Sequence, residues 1–227
     1  RFGTRKNILE AVNEHFAKKE KSDNLDAMDT FYNRAYSLIS SDKARAAFDI
    51  NAEPAPIRDE YGRNAAGQRM LMARRLVEAG ARVVTLSYGR WDSHGKNFDL
   101  VRDHGAKLDQ CLSALVEDLD ARGMLDDVTV IAWGEFGRTP RINGGAGRDH
   151  WPQVSCALMI GGGLKTGQAI GSTNRLGEYA VGRPVKFQEI HATLYHCLGI
   201  DPATTTINDP TGRPQHLVEA EPIKELI

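Results

Sequence analysis

Net charge is nearly absent: 29 Lys and Arg stand against 30 Asp and Glu, a formal charge of −1. That balance offers no electrostatic footprint for nucleic acid or for an anionic membrane. No apolar run approaches the roughly 20 residues that a membrane span needs. Cysteine is scarce, with three in 227 residues. Cys111, Cys156 and Cys197 have neither a zinc-knuckle spacing nor the pattern of a disulfide framework, and they read as small buried hydrophobes. The glycines Gly161, Gly162, Gly163, Gly167 and Gly171 match neither the P-loop nor the dinucleotide fingerprint, so they read as a surface turn. Internal repeats and low-complexity tracts are absent. What remains is 41% hydrophobic and 26% charged, ordinary for a globular protein and long enough for one sizeable core.

Local patterning separates two regions. Residues 1–66 read as a helical segment and linker: Ile8, Leu9, Val12 and Phe16 form one stripe, and Met28, Phe31, Tyr32, Ala35 and Leu38 a second. A short third helix is expected over 42–48, and Glu53-Pro54-Ala55-Pro56 breaks the pattern. From residue 67 to 227 helices and strands alternate, which reads as an α/β domain. Helices are expected over 67–79 and 187–198, and Leu108, Leu112, Leu115 and Leu119 mark the stripe of another, closed by Gly123. The β-branched runs 81–88 and 128–133 read as buried strands, with a third over 154–160. Strand, helix, strand is a crossover unit, so 81–88 and 128–133 are expected to lie parallel with their C-terminal ends on one edge. The tail from Asp201, with Pro202, Pro210, Pro214 and Pro222, reads as irregular.

Three short acidic motifs, two of them with a histidine, fall beside those strands: Trp91-Asp92-Ser93-His94, Gly134-Glu135-Phe136-Gly137-Arg138-Thr139-Pro140 and Gly147-Arg148-Asp149-His150-Trp151-Pro152. Carboxylate oxygens and imidazole nitrogens gathered at one sheet edge are what a divalent ion needs. Asp92, His94, Glu135, Asp149 and His150 are therefore the candidate ligands. Arg138, with its planar fork, either pairs with a nearby carboxylate or receives an anionic substrate oxygen. Oxygen and nitrogen donors suit Zn, Mn, Mg, Ca or Fe. His191 and His196 lie too far out of phase on the last helix to share a face and read as structural.

With these three motifs in this order, the chain resembles the DUF1501 family of uncharacterised bacterial proteins. Ala73-Arg74-Arg75-Leu76-Val77-Glu78-Ala79-Gly80 and Ala192-Thr193-Leu194-Tyr195-His196-Cys197-Leu198-Gly199 support the likeness, which spans nearly the whole chain. That family is grouped with the alkaline phosphatase and sulfatase superfamily. The resemblance implies a three-layer α/β/α fold on a mostly parallel sheet, and metal-assisted attack on a small-molecule or glycan phosphate or sulfate ester. It also suggests export to the periplasm or beyond. Glu135 and Phe136 stand where the superfamily has an Asp-His ligand pair, and Phe136 offers no ligating atom. Asp92 with His94 fits the earlier ligand loop, and His150 the later histidine.

The superfamily's nucleophile, a Ser, Thr or modified Cys after the first strand, has no counterpart in residues 1–66. Arg1 stands first in place of Met, so a C-terminal piece of a longer protein is expected, itself short of a nucleophile. The sequence thus predicts a metal-dependent ester hydrolase. The rival expectation is an inactive relative that binds a glycan or a protein, with a structural metal.

Overall fold

The structure, a computed structural model, describes Asn7, residues 31–33 and residues 41–227. Most of the two N-terminal stripes (Ile8, Leu9, Val12, Phe16, Met28, Ala35 and Leu38) lies outside the described residues; Phe31 and Tyr32 are helical with exposed side chains. The chain divides into two units, Arg1–Glu53 with Arg75–Val84, and Pro54–Arg74 with Thr85–Ile227.

In the first unit, helix α1 (Asp42–Phe48) starts where expected, because the Ser41 side chain accepts from the Ala44 amide and Asp42 faces the positive helix end. Arg75, given no role by sequence, donates to the carbonyls of Ala46 and Ala47 and pairs with Glu53. It thereby covers the orphan acceptors at the end of α1.

In the second unit, helix α2 (Ala55–Glu60), helix α3 (Ala65–Glu78) as far as Arg74, and helix α4 (Asn97–Ala121) contribute to the main core. Tyr61, Ala66, Met70 and Leu71 pack with Cys111, Ala114, Leu115 and Leu119, and Leu108 and Leu112 lie against this cluster. The leucine stripe read from the sequence is the face that α4 buries. Gly123 ends that helix at φ 65°, with the Met124 amide reaching back to the Leu119 carbonyl. Within the core, Arg74 pairs with Asp118 at 2.8 Å and the Tyr61 hydroxyl donates to the same carboxylate at 2.8 Å.

The sheet differs from expectation. Strand β1 (Thr129–Trp133) pairs antiparallel with β4 (Ala157–Gly161), Thr129 opposite Gly161 and Trp133 opposite Ala157. Among the described residues the other strands form three further antiparallel pairs: β2 (Gly137–Arg138) with β3 (His150–Trp151), β5 (Ser172–Thr173) with β6 (Ala180–Gly182), and β7 (Thr206–Asn208) with β8 (Pro214–His216). Residues 81–88 join no ladder, although Leu86 and Tyr88 pack on the main core and the Tyr88 hydroxyl donates to the His104 carbonyl at 2.9 Å. The crossover reading therefore fails, and with it the three-layer α/β/α fold on a mostly parallel sheet. Nor is the run the buried strand expected, since Val83 is 75% exposed; β-branched composition by itself secures neither burial nor a partner, and pairing is set by which strand returns alongside. Here β4 comes back beside β1 in the antiparallel sense.

Helix α5 (Phe187–Cys197) ends one residue short of the expected span. Its Glu189 side chain accepts from the Lys186 amide, and Ile190 packs with Ile223 and Leu226 in a second small core. The tail read as irregular carries β7 and β8. Of the cysteines, Cys111 is buried but Cys156 is exposed, so the shared reading as buried hydrophobes holds for the first and fails for the second. No helix among the described residues is long and apolar enough to cross a membrane.

Candidate functional site

Asp92 and His94 flank Ser93, whose buried hydroxyl donates to the Asn97 side-chain oxygen at 2.5 Å and whose carbonyl accepts from the Arg148 amide at 2.9 Å. The pinned serine leaves its two neighbours exposed on the outside of the loop. The short β2–β3 ladder sets Arg138 directly opposite His150, on one face of the pair. Both reach the same oxygen: Asp92 Oδ1 lies 2.8 Å from His150 Nε2, 2.5 Å from Arg138 Nη2 and 3.0 Å from His94 Nε2. The ligating atoms of Asp92, His94 and His150 all fall within 4.8 Å of one another. Ligands about 2.1 Å from a common ion, at tetrahedral or octahedral angles, stand about 3 to 3.5 Å apart. The two separations from Asp92 Oδ1, 2.8 and 3.0 Å, lie near that spacing, so one carboxylate and two imidazoles could hold a single divalent ion.

Asp149 stands behind this group. Its Oδ1 is 2.7 Å from His94 Nδ1 and 3.2 Å from the Asn143 side-chain amide. A carboxylate on Nδ1 fixes the proton there and turns Nε2 toward Asp92, the arrangement that orients metal-binding histidines. Thr139 and Asn143 hold Asp149 in turn. The Thr139 hydroxyl accepts from the Asp149 amide at 3.0 Å, and the Asn143 amide donates to the His94 carbonyl at 3.1 Å as well as to Asp149. The Asn143 oxygen also closes an Asx turn on the amides of Gly145 and Gly147. Gly147 packs so closely on the next loop that an added Cβ would lie 2.1 Å from the His94 carbonyl carbon. Only glycine allows that approach.

The charges respond to one another. The hydrogen bond from His150, joined by that from Arg138, holds the Asp92 carboxyl down at about 2. His94 and Asn143 hold Asp149 below the usual carboxylate range. The Asp149 contact in turn raises His94. All these groups are substantially exposed, so the pairing contributes little to stability. Its effect is to set which atoms carry protons.

Of the six residues singled out by sequence, Asp92, His94 and His150 converge, Asp149 orients His94, and Arg138 binds Asp92. Glu135 is exposed in the loop after β1 and lies outside the three-residue group. It follows β1, but the parallel edge that would have carried it to Asp92 does not exist. Asn143 and Thr139 were missed. Asn143-Gly144 announces a turn, but nothing in the sequence says that the same amide reaches residues 94 and 149. Phe136 lies against the His150 ring, centroids 4.5 Å apart. A cleft of about 740 Å³ bounded by His196, Asp201, His216, Glu219 and Glu221 shares no residue with this cluster.

Compared with known proteins, residues 1–227 match the model of a family described as "Protein of unknown function (DUF1501)". Neither a curated protein nor a solved structure matches.

Proposed function

The chain belongs to the DUF1501 family, and we propose that it is a metal-dependent hydrolase of phosphate or sulfate esters centred on Asp92, His94 and His150. The convergence of these three side chains on one point, with Asp149 behind His94 and Arg138 alongside, carries the reading. Their order and chemistry also suit the ligand types of the alkaline phosphatase and sulfatase superfamily. A divalent ion held there would acidify an attacking hydroxyl or water and offset charge building on the ester oxygens.

The protein groups have separable tasks in this reading. Asp149 keeps a proton on His94 Nδ1, so that Nε2 is the ligating nitrogen. Arg138 donates one amine to Asp92 and another to the Arg148 carbonyl at 3.1 Å. With Asp92 engaged by a cation, its fork can turn to an ester oxygen, the geometry it recognises best. The neighbouring hydroxyls are unsuited to attack. Ser93 is buried and donates to Asn97, and Thr139 donates to the Arg141 carbonyl at 2.8 Å. Turnover by this chain alone is therefore expected to be slow.

The test is ester hydrolysis after loading with Zn, Mn, Mg, Ca or Fe(II), using methyl phosphate and methyl sulfate. Metal-dependent release of phosphate or sulfate that falls at least about 100-fold in Asp92→Ala supports the reading, a loss on the scale of removing a principal charge-stabilising group. Release that is equal in the variant contradicts it. Phe136 favours a second reading, because its ring covers His150 where the superfamily supplies another ligand. That reading is a metal-containing binding module, and it predicts ester binding without release.

A further inference from the structure

The chain holds three tryptophans, and two of them, Trp91 and Trp151, immediately adjoin the cluster residues Asp92 and His150. Each donates its indole N–H to a main-chain carbonyl. Trp91 Nε1 reaches the Tyr88 oxygen at 3.0 Å, and its ring stands 5.4 Å from that of His104 on α4, at 86°. The Tyr88 ring lies 6.0 Å from Trp91 and 5.8 Å from His104. Tyr88 is itself fixed by packing on the main core and by its hydroxyl on the His104 carbonyl. On the other side of the cluster, Trp151 Nε1 donates to the Glu178 carbonyl at 2.8 Å. The Asn174 side chain holds Glu178 in turn, accepting from its amide at 2.7 Å and donating to its carboxylate at 3.0 Å. Among the described residues neither ring belongs to a hydrophobic core, and the third tryptophan, Trp133, makes no indole hydrogen bond.

We propose that Trp91 and Trp151 are positioning residues, which hold Asp92 and His150 where a divalent cation needs them before the cation arrives; this rests on the metal site proposed above. The Ser93 amide donates to the Trp91 carbonyl at 2.9 Å, so Asp92 is the middle residue of a three-residue turn. Trp91 anchors one end of that turn against α4. Ser93 anchors the other, through Asn97 and the Arg148 amide. The Asp92 side chain is 65% exposed and those of His94 and His150 are 49% exposed, so packing around the ligands themselves does little to hold them. The ladder that carries His150 is two residues long on each strand, and Trp151 ties it to the β5–β6 hairpin. Ligands whose backbone is already fixed lose less freedom on closing around an ion, and they keep their mutual distances. An indole suits the task, because it has a wide face, two torsions to freeze and one directed donor.

Cobalt(II) titration of the full chain tests this, with Trp91→Phe, Trp151→Phe and Trp133→Phe as variants. Phenylalanine keeps an aromatic ring and removes the N–H. Cobalt affinity should be about two- to tenfold weaker in Trp91→Phe and in Trp151→Phe, the worth of one neutral hydrogen bond. The visible band of the bound cobalt should shift or broaden in both, because a ligand has gained freedom. Trp133→Phe should match the wild type in affinity and spectrum. In the metal-free wild type, NMR should show slower exchange of the indole N–H of Trp91 and Trp151 than of Trp133. Wild-type affinity and spectrum in both cluster-side variants overturns the positioning role and leaves the metal site standing. So does a lowered urea midpoint with an unchanged cobalt spectrum, the mark of a merely structural tryptophan. Equal exchange of the three indoles overturns the role without recourse to metal. A wild type that takes up no cobalt overturns the metal site and the positioning role together.

Discussion

Asp149 Oδ1 lies 2.7 Å from Nδ1 of His94, on the side of the ring away from Asp92. Both ring nitrogens therefore face carboxylates. Without a cation, the Nε2 side is comfortable only when it carries a proton. With a cation, that proton is displaced, and Asp149 still holds the other.

The first prediction is a pH dependence of metal binding. His94 is raised above its ordinary value of 6.5 by Asp149, so binding must release a proton across a range beginning near neutrality. Zinc affinity measured by calorimetry should rise as pH climbs above about 6.5, with proton uptake by buffers showing close to one proton released. For the metal-free fold the sign reverses. The His94 contribution is complete below about pH 6.5 and is lost as pH rises through the folded value. Asp92, held at about 2, contributes above the ordinary carboxylate value, and that contribution goes as pH falls toward 2.

Asp149→Asn should weaken metal binding by about 10- to 100-fold without unfolding the chain, the usual range for removing a carboxylate behind a ligating histidine. Competition with a chromophoric chelator reads the affinity, and circular dichroism confirms the fold. Unchanged affinity would mean that Asp149 is merely a turn-capping residue.

Gly147→Ala should cost about 1 to 3 kcal/mol, because the new methyl must push back the His94 backbone. The same push displaces His94, so metal affinity should fall together with the urea midpoint. A stable variant with intact binding would show that the two loops part without consequence.

Leu119→Ala tests the core independently of the site. Leu119, on α4, is 1% exposed in the main core, and its truncation should cost about 2 to 5 kcal/mol in urea unfolding. The site titrations should be unaffected in the fraction that remains folded, since no residue is shared.

How much was legible in the sequence follows from the range of each signal. The Leu108–Leu119 stripe, the short helix expected over 42–48 and the Gly123 stop rest on local signals, and each is found. The run 81–88 carries a local signal too, but a strand needs a partner, and partner choice is not written in the run itself. That single non-local error turned an antiparallel pair into an expected parallel sheet, and with it goes the edge on which Glu135 was expected to meet Asp92. Asp92, His94 and His150 still meet, because their meeting depends on the β2–β3 ladder and the Ser93 anchor, not on the sheet edge. Asn143 stayed hidden because its contacts to residues 94 and 149 join different loops.

The most direct test is elemental analysis of the purified, reconstituted protein beside Asp92→Ala, His150→Ala and Glu135→Ala. The account predicts close to one divalent ion per chain in the wild type and in Glu135→Ala, and its loss in the other two. A wild type without metal, or an ion that depends on Glu135 as strongly as on Asp92, would contradict it.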